Sequence, residues 1–235
     1  MSKSNDQGFS LIELMISLLL LVIIAGAIFQ IISLTVQRSS AEQSKLDMNQ
    51  EAREFMDQMA RDLRLAGYPN PRNFSQDMLT GTPMANDEHV AVGLVKITPT
   101  DLWFEGDVDN SGFVSVIRYH LDTSVANYCP CLKRSQIRKI TADPLNAQNP
   151  ESYQVEVQGV TNTDIFSAKF NGAPVTLPVD FSSSAIGDID TVQATVSLQA
   201  LLIDPKTRKK ATTSQVITVR LNNCSMSTGS SQSCL

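Results

Sequence analysis

Residues 11–36 carry one formal charge, Glu13, and contain the unbroken run Leu18-Leu19-Leu20-Leu21-Val22-Ile23-Ile24. From position 14 to 29 only Ser17 and Gly26 interrupt large apolar residues and alanines. This is just short of the ~20 residues that cross a hydrocarbon core, and Ile31, Ile32 and Leu34 extend it to a full span. An apolar stretch of this length next to the N-terminus is a membrane element. It is either a retained helix or the apolar core of a secretory signal with a small-residue cut near Ala25-Gly26-Ala27.

Two features favour the retained helix. Glu13 stands at the lip of the apolar run, where an unpartnered carboxylate costs several kcal/mol, so an acid here points to a specific cationic partner. A free α-amine would serve, and cleavage between Gly8 and Phe9 would place one four residues before Glu13. Helical patterning also continues far past the alternative cut. Ala52, Phe55, Met56, Met59, Leu63 and Ala66 recur at spacings of three and four, one stripe of an amphipathic helix. Arg53, Glu54, Asp57, Arg61, Asp62 and Arg64 are expected on the opposite, solvated face. Gly67 followed by Pro69 and Pro71 predicts a stop near Ala66. A helix from Phe9 to Ala66 would be about 87 Å long.

The segment Gly8-Phe9-Ser10-Leu11-Ile12-Glu13-Leu14-Met15 resembles the prepilin leader-peptidase motif of type IV pilins and type II secretion pseudopilins. The resemblance implies a leader over 1–8, cleavage after Gly8, N-methylation of Phe9, and contact between Glu13 and the Phe9 amine of a neighbouring subunit during assembly. The leader holds only Lys3 against Asp6, less basic than is usual for this class. Within the class, Met59-Ala60-Arg61-Asp62-Leu63-Arg64-Leu65-Ala66-Gly67-Tyr68 and the terminal Val219-Arg220-Leu221-Asn222-Asn223 are similar to the PilW group of minor pilins.

After position 68 strands dominate the reading. Residues 90–96, 102–105, 113–121, 153–158 and 175–181 are rich in β-branched and aromatic side chains between turn signals. Val192, Ala194, Val196, Leu198, Ala200 and Leu202 alternate and are answered by Ile217, Val219 and Leu221 across a polar loop, which predicts a hairpin with one buried face. Segments 70–88 and 142–152 read as surface loops. The expected fold is α+β and pilin-like, with a long N-terminal helix packed on an antiparallel β-rich head. Its divisions are leader 1–8, assembly half 9–36, amphipathic half 37–67 and head 68–235.

Other residues define smaller expectations. Asp107, Asp109 and Ser111, followed by Gly112, imitate the first half of a calcium loop, but Arg118 stands where the bidentate acid belongs, so a tight turn between strands is preferred and no metal is expected. Lys206, Arg208, Lys209 and Lys210 crowd the expected hairpin tip without interleaved aromatics, which favours a solvated tip over a DNA-binding knob. The formal net charge of -5 gives no nucleic-acid footprint over the whole molecule. The cysteines are Cys129, Cys131, Cys224 and Cys234, and they lack paired zinc spacing. They fit an oxidising compartment. Cys224 with Cys234 would leave Cys129 and Cys131 to bridge across one proline, so a cross-link between the Cys129 loop and the C-terminal tail is favoured. His89 and His120 lie far apart with no nucleophile motif beside either, and no glycine-rich phosphate loop occurs, so neither catalysis nor a cofactor is expected.

The resemblance implies a minor pilin that primes or caps a type IV pilus, supporting adhesion, twitching motility or DNA uptake. The runner-up is a GspJ-like pseudopilin of a type II secretion system, and a secreted binding module is the reading from another class. The implied location is a bacterial inner membrane, single-pass with a periplasmic head, and then the fibre or its tip. Implied partners are other major and minor pilins through their N-terminal helices, the prepilin peptidase, the inner-membrane assembly platform, a tip adhesin, and the lipid bilayer before assembly.

Overall fold

The computed structural model describes residues 10–124, 129–223, 225–226 and 232–233. Helix α1 runs without a break over Leu11–Arg64, 54 residues, about 81 Å at 1.5 Å per residue. Ser10 precedes it in extended conformation, and its carbonyl accepts from the Glu13 and Leu14 amides. At the other end the Leu65 amide bonds back to Asp62 and Leu63, and Gly67 takes φ 79°. The Gly67 amide leaves the helix for the Glu105 carbonyl, 2.8 Å away, so the stop comes two residues before the expected one.

The second half of α1 buries Met48 and the expected stripe from Ala52 to Leu63, and Ala66, just past the helix, is buried as well. Asp62 corrects the expected solvated face: it is 6% exposed and bonded to the head. Helical periodicity gives an angular position, whereas the need for a charge at that angle depends on what the sheet presents there.

The head contains two antiparallel sheets. In chain order the strands are β1 Leu94–Ile97, β2 Asp101–Gly106, β3 Ser115–Asp122, β4 Cys131–Arg138, β5 Tyr153–Gln158, β6 Phe166–Phe170, β7 Ala173–Val175 and β8 Val179–Asp180. After a short helix α2, Ala185–Asp188, come β9 Thr191–Ile203 and β10 Lys210–Arg220. The larger sheet has the order β5-β4-β3-β2-β1-β8 and the smaller β10-β9-β6-β7. A two-residue pairing of β11, Ser225–Met226, with β12, Gln232–Ser233, lies beyond them.

Alternation in β9 does what it predicts as far as Ala200, with Val192, Ala194, Val196, Leu198 and Ala200 buried, Gln193, Thr195 and Ser197 half-buried and Gln199 exposed. Leu202 departs from it and is exposed. The expected strand 175–181 is two strands in different sheets. Pro178, which has no amide to donate, stands where the chain crosses between them. Strand β4 escapes a periodicity search because Lys133 and Arg134 interrupt its pattern. Both cations are half-buried against carboxylates, Asp122 and Asp62.

One contiguous core joins the helix to both sheets. Phe55 of α1 meets Tyr119 of β3 edge-on at 5.6 Å, and Tyr119 stacks on Phe104 of β2 at 6.2 Å. The β9–β10 hairpin runs along α1. Asn223, just past β10, donates to the Arg64 and Ala66 carbonyls, while Lys209 and Lys210 at the far end share a cleft with Ala41, Glu42 and Lys45.

Candidate functional site

Two halves of one helix divide the work. From Leu11 to Val36 every large apolar side chain is at least half exposed, and the helix is long and apolar enough to cross a membrane. Two of its three hydroxyls do not oppose that environment. Ser17 donates to the Glu13 carbonyl and Thr35 to the Ile31 carbonyl, each at 2.8 Å, so both are satisfied within the helix. Among the described residues no hydrogen-bond or ionic partner meets the Glu13 carboxylate. The nearest cation along the helix, Arg38, is 25 positions on. Gly8 and Phe9, the expected cleavage and methylation positions, lie outside the described residues.

The other half is fastened to the head by polar bonds that flank the apolar stripe. The Asp62 carboxylate accepts from the Tyr119 hydroxyl at 2.7 Å and from Arg134 Nε at 2.9 Å. Burial, reinforced by the Asp62 charge, holds the Tyr119 phenol well above its ordinary value, so it acts as a permanent donor. One turn later Gly106 lets β2 approach the helix terminus, since a Cβ there would sit 2.4 Å from the Leu65 carbonyl. Beneath this junction Lys139, fully buried, donates to the Ala85 and Val90 carbonyls and to Glu105 Oε2, at 2.8, 2.7 and 2.7 Å. All three ammonium protons are satisfied. Burial raises the Glu105 carboxyl despite that neighbour. Sequence reasoning missed both networks, because a lone Asp and a lone Lys in polar surroundings carry no local signal of burial.

Segment 70–88 is a surface loop as expected, built on three short 3₁₀ turns, Pro71–Asn73, Gln76–Met78 and Met84–Asn86. Asp87 pins it, accepting from the Thr80, Gly81 and His89 amides and contacting the His89 ring. Burial pushes the Asp87 carboxyl up, but those donors outweigh it and hold the group at about 2. His120 contacts Asp101 at 2.6 Å, and this bond raises the imidazole above its ordinary value against the opposing effect of burial.

The cysteine expectation is corrected. Cys129 and Cys131 are joined to each other, because the turn at Pro130 brings their Cα atoms to 4.5 Å, inside the range a disulfide needs. The favoured link from Cys129 to the tail is therefore not made, and Cys224 and Cys234 lie outside the described residues. Asp122 lies within 4.8 Å of both sulfurs, but both sulfurs are committed to the bridge.

Asp107 uses both carboxylate oxygens on backbone amides, those of Ser111 and Gly112, and Asp109 accepts from the Ser111 amide. With Gly112 at φ 81°, this is the tight turn expected between β2 and β3. Lys206, Arg208, Lys209 and Lys210 stand exposed at the β9–β10 turn.

Residues 3–29 match the family model described as the prokaryotic N-terminal methylation motif. No curated protein and no solved structure matches the chain. The methylation motif, the uncovered apolar helix and the antiparallel β head together support a type IV pilin-like protein anchored in a membrane with its head outside.

Proposed function

We propose that the chain is a non-catalytic minor pilin of the PilW kind, cleaved after Gly8, methylated at Phe9, stored in the inner membrane, and then built into a type IV pilus where it primes or caps assembly. The observation that carries this reading is the single helix α1, uncovered and apolar over residues 11–36 and packed into a β-rich head from Met48 to its end. A helix extracted from lipid into a bundle of equally apolar helices gains little hydrophobic free energy. Specific contacts must then set its register, and Glu13 facing the Phe9 amine of a neighbouring subunit supplies one. Partners under this reading are other pilins, the peptidase, the assembly platform and an adhesin at the tip.

The test is the N-terminus of the mature protein, read by mass spectrometry after co-expression with a prepilin peptidase. A methylated Phe9 start is expected, and Gly8→Val, whose side chain collides where glycine fits, should leave unprocessed protein. A start near residue 28, or normal maturation of Gly8→Val, would overturn the reading.

A further inference from the structure

The β9–β10 hairpin places its basic turn at the membrane-facing end of the head, and we infer that this turn docks on the headgroups of anionic phospholipid while α1 is still inserted. The hairpin runs beside α1 from the Arg64 end, where Asn223 is bonded, to the Ala41–Lys45 level, where Lys209 and Lys210 line a cleft with Ala41, Glu42 and Lys45. The apolar run ends at Val36. Five residues separate Val36 from Ala41, about 7.5 Å of helix. The headgroup layer outside the hydrocarbon core is of similar thickness, roughly 5–8 Å. The turn therefore stands at the outer edge of that layer, inside a Debye length of ~8 Å at physiological salt.

Charge agrees with that position. Over residues 38–45 and 204–210 the cations are Arg38, Lys45, Lys206, Arg208, Lys209 and Lys210, and the only carboxylates are Glu42 and Asp204, in a chain whose net charge is -5. Asp204 is already engaged within the turn by the Lys206 amide and the Thr207 hydroxyl, at 2.8 and 2.9 Å. The acidic molecule thus presents a basic end to the bilayer. Just behind the cations Leu201, Leu202 and Ile203 are 69%, 48% and 58% exposed, where β9 has run past the core. Leu201 and Leu202 line a groove against Gln43, Asp47 and Met48 of α1, on the side of the cations away from the apolar run, so the docking rests on the cations alone.

The inference rests on residues 11–36 being membrane-inserted, so the experiment reads insertion and docking separately. Full-length protein is reconstituted in nanodiscs of phosphatidylcholine and of phosphatidylcholine with phosphatidylglycerol at 7:3, and amide hydrogen exchange is followed by mass spectrometry. Each cation brought to an anionic surface is worth about fivefold in association at physiological salt. Exchange over residues 201–211 should slow at least fivefold in the anionic discs. It should return to the phosphatidylcholine rate in 0.5 M salt and in the variant Lys206→Glu, Arg208→Glu, Lys209→Glu, Lys210→Glu, with β3 exchange unchanged as the control for folding. Insertion with equal exchange in both lipids would overturn the docking alone. So would protection by a duplex oligonucleotide in phosphatidylcholine discs without any effect of phosphatidylglycerol. Failure to enter discs of either composition would overturn both the docking and the membrane-helix reading.

Discussion

Replacing Asp62 by alanine tests the bond that fastens the membrane helix to its head. The carboxylate serves two groups, the Tyr119 hydroxyl and the Arg134 guanidinium. Removing it leaves a fully buried phenol without its acceptor, which costs roughly 1–3 kcal/mol. It also strips a cation that is only 13% exposed of its counter-charge. Breaking a buried pair costs about 3–5 kcal/mol, and Arg134 falls at the lower end because it keeps Gln136 Oε1 at 2.8 Å. Alanine returns a few tenths of a kcal/mol in helix propensity, so the expected net loss is about 4–5 kcal/mol. For a head of this size that is a fall in Tm of roughly 8–20 °C. Tyr119→Phe, which leaves the ion pair intact, should cost only about 1 kcal/mol. The assay is denaturation of full-length protein in detergent, followed by the fluorescence of the single tryptophan, Trp103, on β2. A cycle with Arg134→Met should show about 1.5–3 kcal/mol of coupling. Additivity within 0.5 kcal/mol, or a Tm change below about 2 °C for Asp62→Ala, would refute the clamp.

Three further predictions concern the anchor and the loops. Glu13→Gln should be cleaved normally yet fail to crosslink with neighbouring pilins, since an uncompensated buried partner costs roughly 3–5 kcal/mol; unchanged crosslinking and unchanged piliation would remove the pairing mechanism. Asp87, held at about 2 when folded, contributes stability above its unfolded pKa near 4 that is lost as pH falls toward 2, roughly 2 kcal/mol in all. Asp87→Asn should therefore lie below the parent in denaturation midpoint at pH 6 and converge with it by pH 2, and a constant difference would contradict the assignment. Gly106→Ala must push β2 or the Leu65 carbonyl aside and should lower stability by about 1–3 kcal/mol in the same denaturation assay, whereas a neutral result would mean that the junction is loosely packed.

What the sequence disclosed follows from the range of each interaction. The membrane half of α1, the buried stripe and the β9–β10 hairpin are written in periodicities that need no partner to be seen. The helix terminus contains Arg61 and Asp62 side by side, yet Asp62 is buried and Arg61 exposed. Only the placement of Tyr119 and Arg134, 57 and 72 positions away, decides which. Lys139 is the same case: its three acceptors come from segments 34 to 54 residues distant. The cysteine pairing failed for a different reason. Strain across one intervening proline is a statement about backbone geometry, and the turn at Pro130 supplies the close approach that an extended tripeptide would forbid.

The carboxylates of this chain sort themselves by where their partners are. Asp62, Asp87, Glu105, Asp107 and Asp190 are the buried acids among the described residues, and each accepts at least one hydrogen bond from its own chain. Each buried acid thus has at least one partner within the chain, although Glu105 Oε1 accepts no hydrogen bond from the described residues. Glu13 is the acid on the segment built for lipid, and among the described residues it has no such partner. Under the proposed function, the partner of this exposed carboxylate is the methylated α-amine of an adjacent subunit. On that reading the carboxylate stays costly at the lip of the bilayer and in the fibre alike until the amine arrives. Deleting the charge tests this directly: Glu13→Gln subunits that assemble at parental yield would show that register is set by side-chain packing of the apolar helices and not by charge.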